Sequence, residues 1–305
     1  MITHTKHHDL SAGPILLAIG AVFLFTALDG VAKELGSRHP TIDVVSIRYL
    51  AGLVWSAVTA AIFRPPMPDA NMIKAHSFRA IFYVGTSFLF FYAISVLPMV
   101  ETMVFTYVAP IFMAILGRFL LKEKVPASTA LAILLSFFGI LVIAFGKGFS
   151  LGNLSGSLLG ILAALGSAGT YALANVLLRA RAGNDTVAGI VVLQNILASA
   201  LALPFAFLIG DPIGALRADW QLGLFMGLLG TVGQFAMATA LHRAPAARIG
   251  TVEYTNIIWA TLIGIFFFAE WPDWTVYAGA ALIILGSGLL LRQKKTIAPP
   301  ETTAV

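Results

Sequence analysis

Residues 117–125 read Gly-Arg-Phe-Leu-Leu-Lys-Glu-Lys-Val, and residues 264–272 read Gly-Ile-Phe-Phe-Phe-Ala-Glu-Trp-Pro. The two stretches lie 147 positions apart, and the ungapped match extends over residues 98–139 of the first copy. Proline, glycine and glutamate are position-specific inside apolar helices, so their joint recurrence indicates a duplicated unit. The recurring pairs are Pro98 with Pro245, Tyr107 with Tyr254, Gly117 with Gly264, Phe119 with Phe266, Glu123 with Glu270, and Gly139 with Gly286. Each copy predicts a helix, a tight turn and a second helix.

The composition predicts that most of the chain lies in a lipid bilayer. Of its 305 residues, 59% are hydrophobic and 11% are charged, whereas soluble domains carry roughly 25% charged residues. The net charge of +5 is scattered between apolar runs, so it does not indicate a nucleic-acid partner. The chain has no cysteine, which excludes disulfides, iron-sulfur clusters and thiolate zinc sites.

The fold class predicted from the apolar runs is an all-α membrane protein with ten transmembrane helices, since each run has the roughly 20 residues that a crossing needs. The predicted crossings are residues 13–35, 42–63, 77–97, 99–120, 127–146, 157–178, 186–209, 220–242, 247–269 and 274–291.

The duplication divides these crossings into two five-helix repeats, residues 13–146 and 157–291. Residues 147–156 are the predicted periplasmic linker, and residues 1–12 and 292–305 are predicted cytoplasmic tails. Because five is odd, the second repeat enters the membrane from the opposite side. Two inverted repeats related by a pseudo-two-fold axis in the membrane plane predict a central cavity at their junction.

The distribution of lysine and arginine predicts the orientation. Fourteen of them fall on the side of the termini and four on the other side, which places both termini in the cytoplasm. The fourteen are Lys6, Arg64, Lys74, Arg79, Arg118, Lys122, Lys124, Arg179, Arg181, Arg243, Arg248, Arg292, Lys294 and Lys295.

The chain resembles the EamA family of the drug/metabolite transporter superfamily. The resemblance rests on ten short crossings in two inverted five-helix repeats, on the repeated glutamate turn, and on the glycines that follow it, Gly139 and Gly286. The resemblance covers nearly the whole chain. It implies a secondary transporter of small metabolites in the bacterial inner membrane, often an exporter, working by alternating access. Bacterial amino-acid exporters, including those for aromatic amino acids, are the most similar members in size and layout. Pro126 and Pro272 lie one place out of register with each other, whereas the family usually has proline directly after the glutamate.

Ionisable residues inside a crossing are costly, so each should face a partner or a watery cavity. Asp29 in the first helix and Arg48 in the second lie at similar depths, on the outer side of their span centres. Two interpretations remain open, an ion pair that locks these helices and a pair that binds a charged substrate group or acts in gating.

The second repeat holds most of the polar residues at or near the midplane. A ring of polar side chains from four helices could bind the carboxylate and ammonium groups of a zwitterion. The alternative is hydrogen bonding that only holds helices together. The ring comprises Glu253, Asn256, Gln194, Asn195, Tyr171, Asn175 and Gln234, with Glu253 the best candidate to bind an ammonium group or a proton.

Aromatic side chains could form the apolar walls of the cavity, although most aromatics in membrane helices serve packing or anchor the interface. The candidates are Tyr83, Phe90, Tyr107, Tyr171, Tyr254 and Trp259, and Trp259 occupies the repeat position of Phe112. Glu123 and Glu270 lie beside turns, where they are expected to cap or pair locally.

No phosphate-binding loop or hydrolase motif occurs in the chain, so neither direct ATP coupling nor a cofactor is expected. The predicted partners are the lipid bilayer and a small-molecule substrate, most plausibly amino acids, and the protein is expected to be a monomer or weak dimer. Another metabolite such as a nucleoside, sugar or drug-like compound is the alternative cargo. An intramembrane enzyme and a structural membrane subunit are the alternative classes. Proton coupling and facilitated uniport both remain open.

Overall fold

The computed structural model describes residues 12–96, 102, 105–123, 125–146, 158–181, 184–268 and 274–291. In the first repeat, the helices with described bounds are α1 (Gly13–Gly36), α2 (Thr41–Phe63), α3 (Ala70–Val96), α4 (Ala109–Leu120) and α5 (Ala127–Gly146). In the second repeat they are α6 (Leu158–Ala180), α7 (Val187–Ile209), α8 (Pro212–Ala218), α9 (Trp220–Arg243), α10 (Ala246–Gly250), a 3-10 helix (Thr251–Thr255), α11 (Asn256–Phe268) and α12 (Trp274–Leu291). The tails, the linker and Glu270 lie largely or wholly outside the described residues.

Six helical segments in the described part of the chain are long and apolar enough to cross a membrane. They are α1, α2, α6, α7, α9 and the segment Arg248–Phe267. Shorter apolar helices cover parts of α4, α5 and α12. Large apolar side chains face outward, among them Leu208 and Phe266 at 80% and 79% exposure, as lipid contact requires. The protein is therefore an integral membrane protein with an all-α fold, and the total of ten crossings stays a prediction.

The packing of the helices follows the duplication. α1 of the first repeat packs on α9 of the second, and the equivalent pair, α6 of the second repeat and α3 of the first, packs in the same way. The contact of α2 with α9 likewise has its counterpart in α7 with α3. Two further contacts, α2 with α7 and α5 with α12, each join a helix to its own equivalent. Exchanging the repeats thus maps the packing onto itself, which is the property of a pseudo-two-fold arrangement.

Two clusters of ion pairs define the ends of the bundle. At what we call the distal end, where α1 finishes and α9 begins, Arg38 Nη1 and His39 Nε2 lie 2.7 and 2.8 Å from the Asp219 carboxylate. The hydrogen bond from His39, together with the charge of Arg38, holds the pKa of Asp219 below its ordinary value. At the proximal end, where α3 and α7 begin and α6 finishes, His76 and Arg181 contact the Asp185 carboxylate. The two clusters join equivalent helices under exchange of the repeats, and in each the acid lies in a connection between helices.

The regular helix is interrupted at the same repeat position in both halves. Tyr107 and Val108 form a turn before α4, and the 3-10 helix that contains Tyr254 lies between α10 and α11. The rings of Tyr107 and Tyr254 pack against each other, with centroids 6.0 Å apart. Both rings are buried, so the two interruptions meet inside the bundle.

Gly227 allows α9 to approach α2 closely. A Cβ at this position would lie 2.6 Å from the Ala51 Cβ and 2.7 Å from the Ala51 carbonyl carbon, and a backbone atom cannot move aside easily. We therefore expect Gly227→Ala to lower the free energy of unfolding by about 2 kcal/mol through overpacking. Thermal unfolding in detergent measures the change. Gly20→Ala on α1 is the control, because a Cβ there has no neighbour within 4 Å. Equal stability of the two variants would contradict the close approach.

Candidate functional site

A cavity of about 960 Å³, including its open mouth, runs from the middle of the bundle toward the distal end. We call it the distal cavity. It is lined by helices of both repeats, so it lies at their junction. The lining residues that carry the argument below are Asp29, Arg48, Tyr83, Tyr171, Glu253 and Asn256.

Arg48 is the cation of the distal cavity. Its Nη2 donates to the Tyr83 hydroxyl at 2.9 Å, and its Nη1 lies 3.4 Å from the Ser87 Oγ. The guanidinium carbon also lies 5.6 Å from the centre of the Tyr83 ring, within cation-π range. These neutral partners orient the guanidinium without neutralising it, and a guanidinium has five donors. Arg48 therefore keeps charge and donors for a ligand.

Asp29 lines the same cavity as Arg48. Among the ion pairs within 4 Å that the structure describes, none joins Asp29 to Arg48. Of the two interpretations left open by the sequence, this geometry favours two charges that face shared space over a locking ion pair.

Glu253 lies in the 3-10 helix, which packs on α1, and its side chain lines the cavity. The Tyr171 hydroxyl donates to its Oε1 at 2.7 Å. Three residues further on, Asn256 accepts a hydrogen bond from Thr26 Oγ1 at its Oδ1, also at 2.7 Å. The second repeat thus contributes a carboxylate and an amide, each fixed by a hydroxyl from a neighbouring helix.

The other members of the predicted ring lie elsewhere. Asn195 is buried and donates to Ser56 Oγ at 2.8 Å, so it joins α7 to α2. Gln194 is buried beside it. Asn175 and Gln234 line a second, smaller cavity described below. Trp259 packs edge-on against Phe23, with ring centroids 5.2 Å apart.

Four hydroxyl side chains of the distal cavity were not singled out from the sequence. They are Thr86, Ser87, Thr106 and Ser167. A single serine or threonine in an apolar helix is common, so residue type alone gives no signal. For Thr106 the duplication does provide a signal, because Thr106 is the repeat equivalent of Glu253.

The described lining of the distal cavity combines two carboxylates, one guanidinium, several hydroxyls and aromatic walls. Within the described residues, no cluster of three or more histidine, aspartate or glutamate side chains could hold a metal ion. Such a lining can bind an amphoteric organic molecule reversibly, by pairing opposite charges at separate points.

The EamA-like transporter family matches the chain twice, over residues 13–145 and 155–292. The two matches together cover most of the chain. The protein therefore belongs to this family.

Individual relatives are transporters of different compounds. The pseudopaline exporter CntI of Pseudomonas aeruginosa is 26% identical over 294 residues, which cover 94% of this chain and 99% of the exporter. A riboflavin transporter of Brucella anthropi is 25% identical over 281 residues, covering 90% of this chain and 97% of the relative. An uncharacterised transporter of Helicobacter pylori is 29% identical over 226 residues, covering 72% and 73%.

A solved crystal structure shares the fold, with a TM-score of 0.76 at 17% identity over 92% of this chain and 97% of that chain. The family and the relatives define the protein as a membrane transporter of small metabolites and not an enzyme.

Proposed function

We propose that the protein is an exporter of amino acids, aromatic ones included, in the bacterial inner membrane. The observation that carries the proposal is the placement of Arg48, Asp29 and Glu253 around one cavity between the repeats. Arg48 would bind the carboxylate of an amino acid, and one of the two acids would bind its ammonium group. Tyr83 and Phe90, which also line the cavity, would contact an aromatic side chain.

The orientation that we propose puts the proximal end in the cytoplasm. Among the described lysines and arginines near the helix ends, seven belong to the proximal end and three to the distal end. The seven are Arg64, Lys74, Arg118, Lys122, Arg179, Arg181 and Arg243, and the three are Lys33, Arg38 and Arg217. A cytoplasmic bias of lysine and arginine supports this assignment. The distal cavity would then be the outward-facing site of an alternating-access cycle. Export is favoured by the near full-length relation to the pseudopaline exporter.

Flux measurements in proteoliposomes test the proposal. The purified protein is reconstituted, and uptake and efflux of radiolabelled phenylalanine, leucine, glutamate and lysine are compared with empty liposomes. Riboflavin belongs in the panel, because one relative is a riboflavin transporter. Saturable amino-acid flux is the expected result. Flux of riboflavin alone, or of none of these compounds, would reject amino acids as the cargo.

Glu253→Gln and Asn256→Ala are expected to lower amino-acid flux about tenfold each, because the first removes the negative charge and the second the amide of a side chain that lines the cavity. Expression and thermal stability should change little for Asn256→Ala, because the side chain of Asn256 contacts the single hydroxyl of Thr26. Asn195→Ala is the contrasting variant, since Asn195 joins helices through Ser56 and Thr231. It should lower stability and leave the apparent affinity unchanged. The same flux assay at several substrate concentrations, combined with thermal unfolding, separates the two patterns.

A further inference from the structure

A second, smaller cavity lies in the proximal half of the bundle, and we call it the proximal cavity. Phe25, Tyr83 and Tyr171 line both cavities, so these three rings form the partition between them. The rest of its described lining comes from the proximal halves of α3, α6, α7 and α9. The two cavities therefore follow one another across the membrane.

Arg79 is the cationic residue in the described lining of the proximal cavity. The charge count above assigns it to the side of the termini, and the structure buries it within α3 at 5% exposure. Its Nε has no hydrogen-bond partner in the part of the chain that the structure describes. No aspartate or glutamate is among the described lining residues. A buried guanidinium without a counter-ion is costly, so a purely structural role does not account for it.

The surroundings of Arg79 supply further polar groups for a ligand. The amides of Asn175 and Gln234 line the same cavity. Gln194 is 1% exposed, and neither its Oε1 nor its Nε2 has a partner among the described residues. Gln194 follows Ile190 and Val191, which line the cavity, by four and three positions, so it lies on the same face of α7.

Arg79 and the distal cavity are connected through Tyr83, which lies on the same helix. Arg79 lies four residues before Tyr83, hence on the same face of α3 and about 6 Å nearer the proximal end. The Tyr83 hydroxyl accepts hydrogen bonds from Arg48 on one side and from Gln234 Nε2, at 2.7 Å, on the other. Tyr83 therefore contacts the guanidinium of Arg48, and the residue one helical turn before it, Arg79, carries the second guanidinium.

We propose that Arg79 forms a second binding site for an organic carboxylate, on the proximal side of the partition. This site rests on the proposed function in one respect: the carboxylate that it binds belongs to the transported molecule. When the proximal end opens, the carboxylate binds Arg79, and it passes to Arg48 when the partition rearranges. The distal cavity, with two acids beside one arginine, then offers the ammonium group a partner that the proximal cavity lacks.

A charge reporter tests the site without any knowledge of the substrate. The chain has no cysteine, so Ala174→Cys places a single thiol in the lining of the proximal cavity. Its rates of reaction with an anionic and a cationic methanethiosulfonate are measured in detergent, where both ends are accessible. Arg79→Gln should lower the ratio of anionic to cationic rate about tenfold. The control Arg118→Gln, which removes an exposed cation of α4, should leave the ratio within about twofold.

Transport separates carboxylate binding from a structural role. Arg79→Gln should reduce phenylalanine flux at least about tenfold and leave the flux of phenethylamine, which lacks the carboxylate, within about twofold. Arg79→Lys should restore part of the phenylalanine flux because it keeps the charge. Thermal stability of Arg79→Gln should equal or exceed that of the unmodified protein, since an unpaired buried charge is removed.

An unchanged reagent ratio in Arg79→Gln would overturn the site, and so would a thiol that no reagent reaches. Destabilisation by Arg79→Gln with equal loss of both fluxes would overturn it as well, since that pattern belongs to a structural residue. If the unmodified protein carries no amino acid but the reagent ratio still depends on Arg79, the amino-acid function fails and the carboxylate site stands.

Discussion

Changing Arg48 to glutamine is expected to raise the phenylalanine concentration for half-maximal flux about a hundredfold. The reason is that Arg48 is the guanidinium of the distal cavity, and its described partners are neutral hydroxyls and aromatic rings. A carboxylate bound there would lose its charged partner. The effect corresponds to about 3 kcal/mol of binding free energy, which is ordinary for removal of one member of a desolvated charge pair.

The comparison with other variants makes this result specific. Arg48→Lys should recover only part of the affinity, because an ammonium group cannot reproduce two parallel donors. Tyr83→Phe removes the hydroxyl that accepts from Arg48 Nη2, and it should have a smaller effect. Phenethylamine flux should not depend on Arg48. If phenylalanine and phenethylamine are affected equally, Arg48 does not bind the carboxylate.

Changing Glu123 to glutamine is expected to lower the free energy of unfolding by about 3 kcal/mol. Arg179 Nε donates to Glu123 Oε1 at 2.9 Å, and the Ala246 backbone amide donates to Oε2 at 3.1 Å. The same arginine donates through Nη1 to the Leu241 carbonyl at 2.8 Å. Glu123 thus joins the end of α6 and the start of α10 to the turn after α4. Without it, a largely buried guanidinium has no counter-ion and α10 loses its cap.

A double-mutant cycle of Glu123→Gln and Arg179→Gln measures this coupling by thermal unfolding. The double variant should be less destabilised than the sum of the single ones. Glu34→Gln is the matched control, because Glu34 pairs with Arg38 at a half-exposed position and should cost less than about 1 kcal/mol. Additive effects of the two single changes would show that the ion pair contributes nothing beyond its separate hydrogen bonds.

The sequence predicts the bounds of several helices well, because a helix that crosses lipid must be apolar over a fixed length. A crossing needs about 20 apolar residues, so the predicted runs 42–63 and 186–209 match the helices Thr41–Phe63 and Val187–Ile209 to within one position at each end. The start of α3 was placed seven residues too late, at residue 77. Residues 70–76 are polar enough to resemble a loop, yet Met72 and His76 are buried in the structure.

The polar contacts were harder to predict, because periodicity cannot tell which neighbour a side chain meets. Glu123 was expected to pair locally, but its partners Arg179 and Ala246 lie 56 and 123 residues further along the chain. Asn195 and Glu253 looked alike as polar residues near the midplane. The first turns toward Ser56 between helices and the second lines a cavity, and this difference depends on tertiary packing.

The 3-10 segment that carries Glu253 has a consequence for motion. A 3-10 helix rises about 0.5 Å more per residue than an α-helix, so five residues that rewind as α-helix shorten by about 2.5 Å. The same change rotates the segment like a screw. We expect this rewinding of the 3-10 segment to move the Glu253 carboxylate away from the Tyr171 hydroxyl while α11 stays straight.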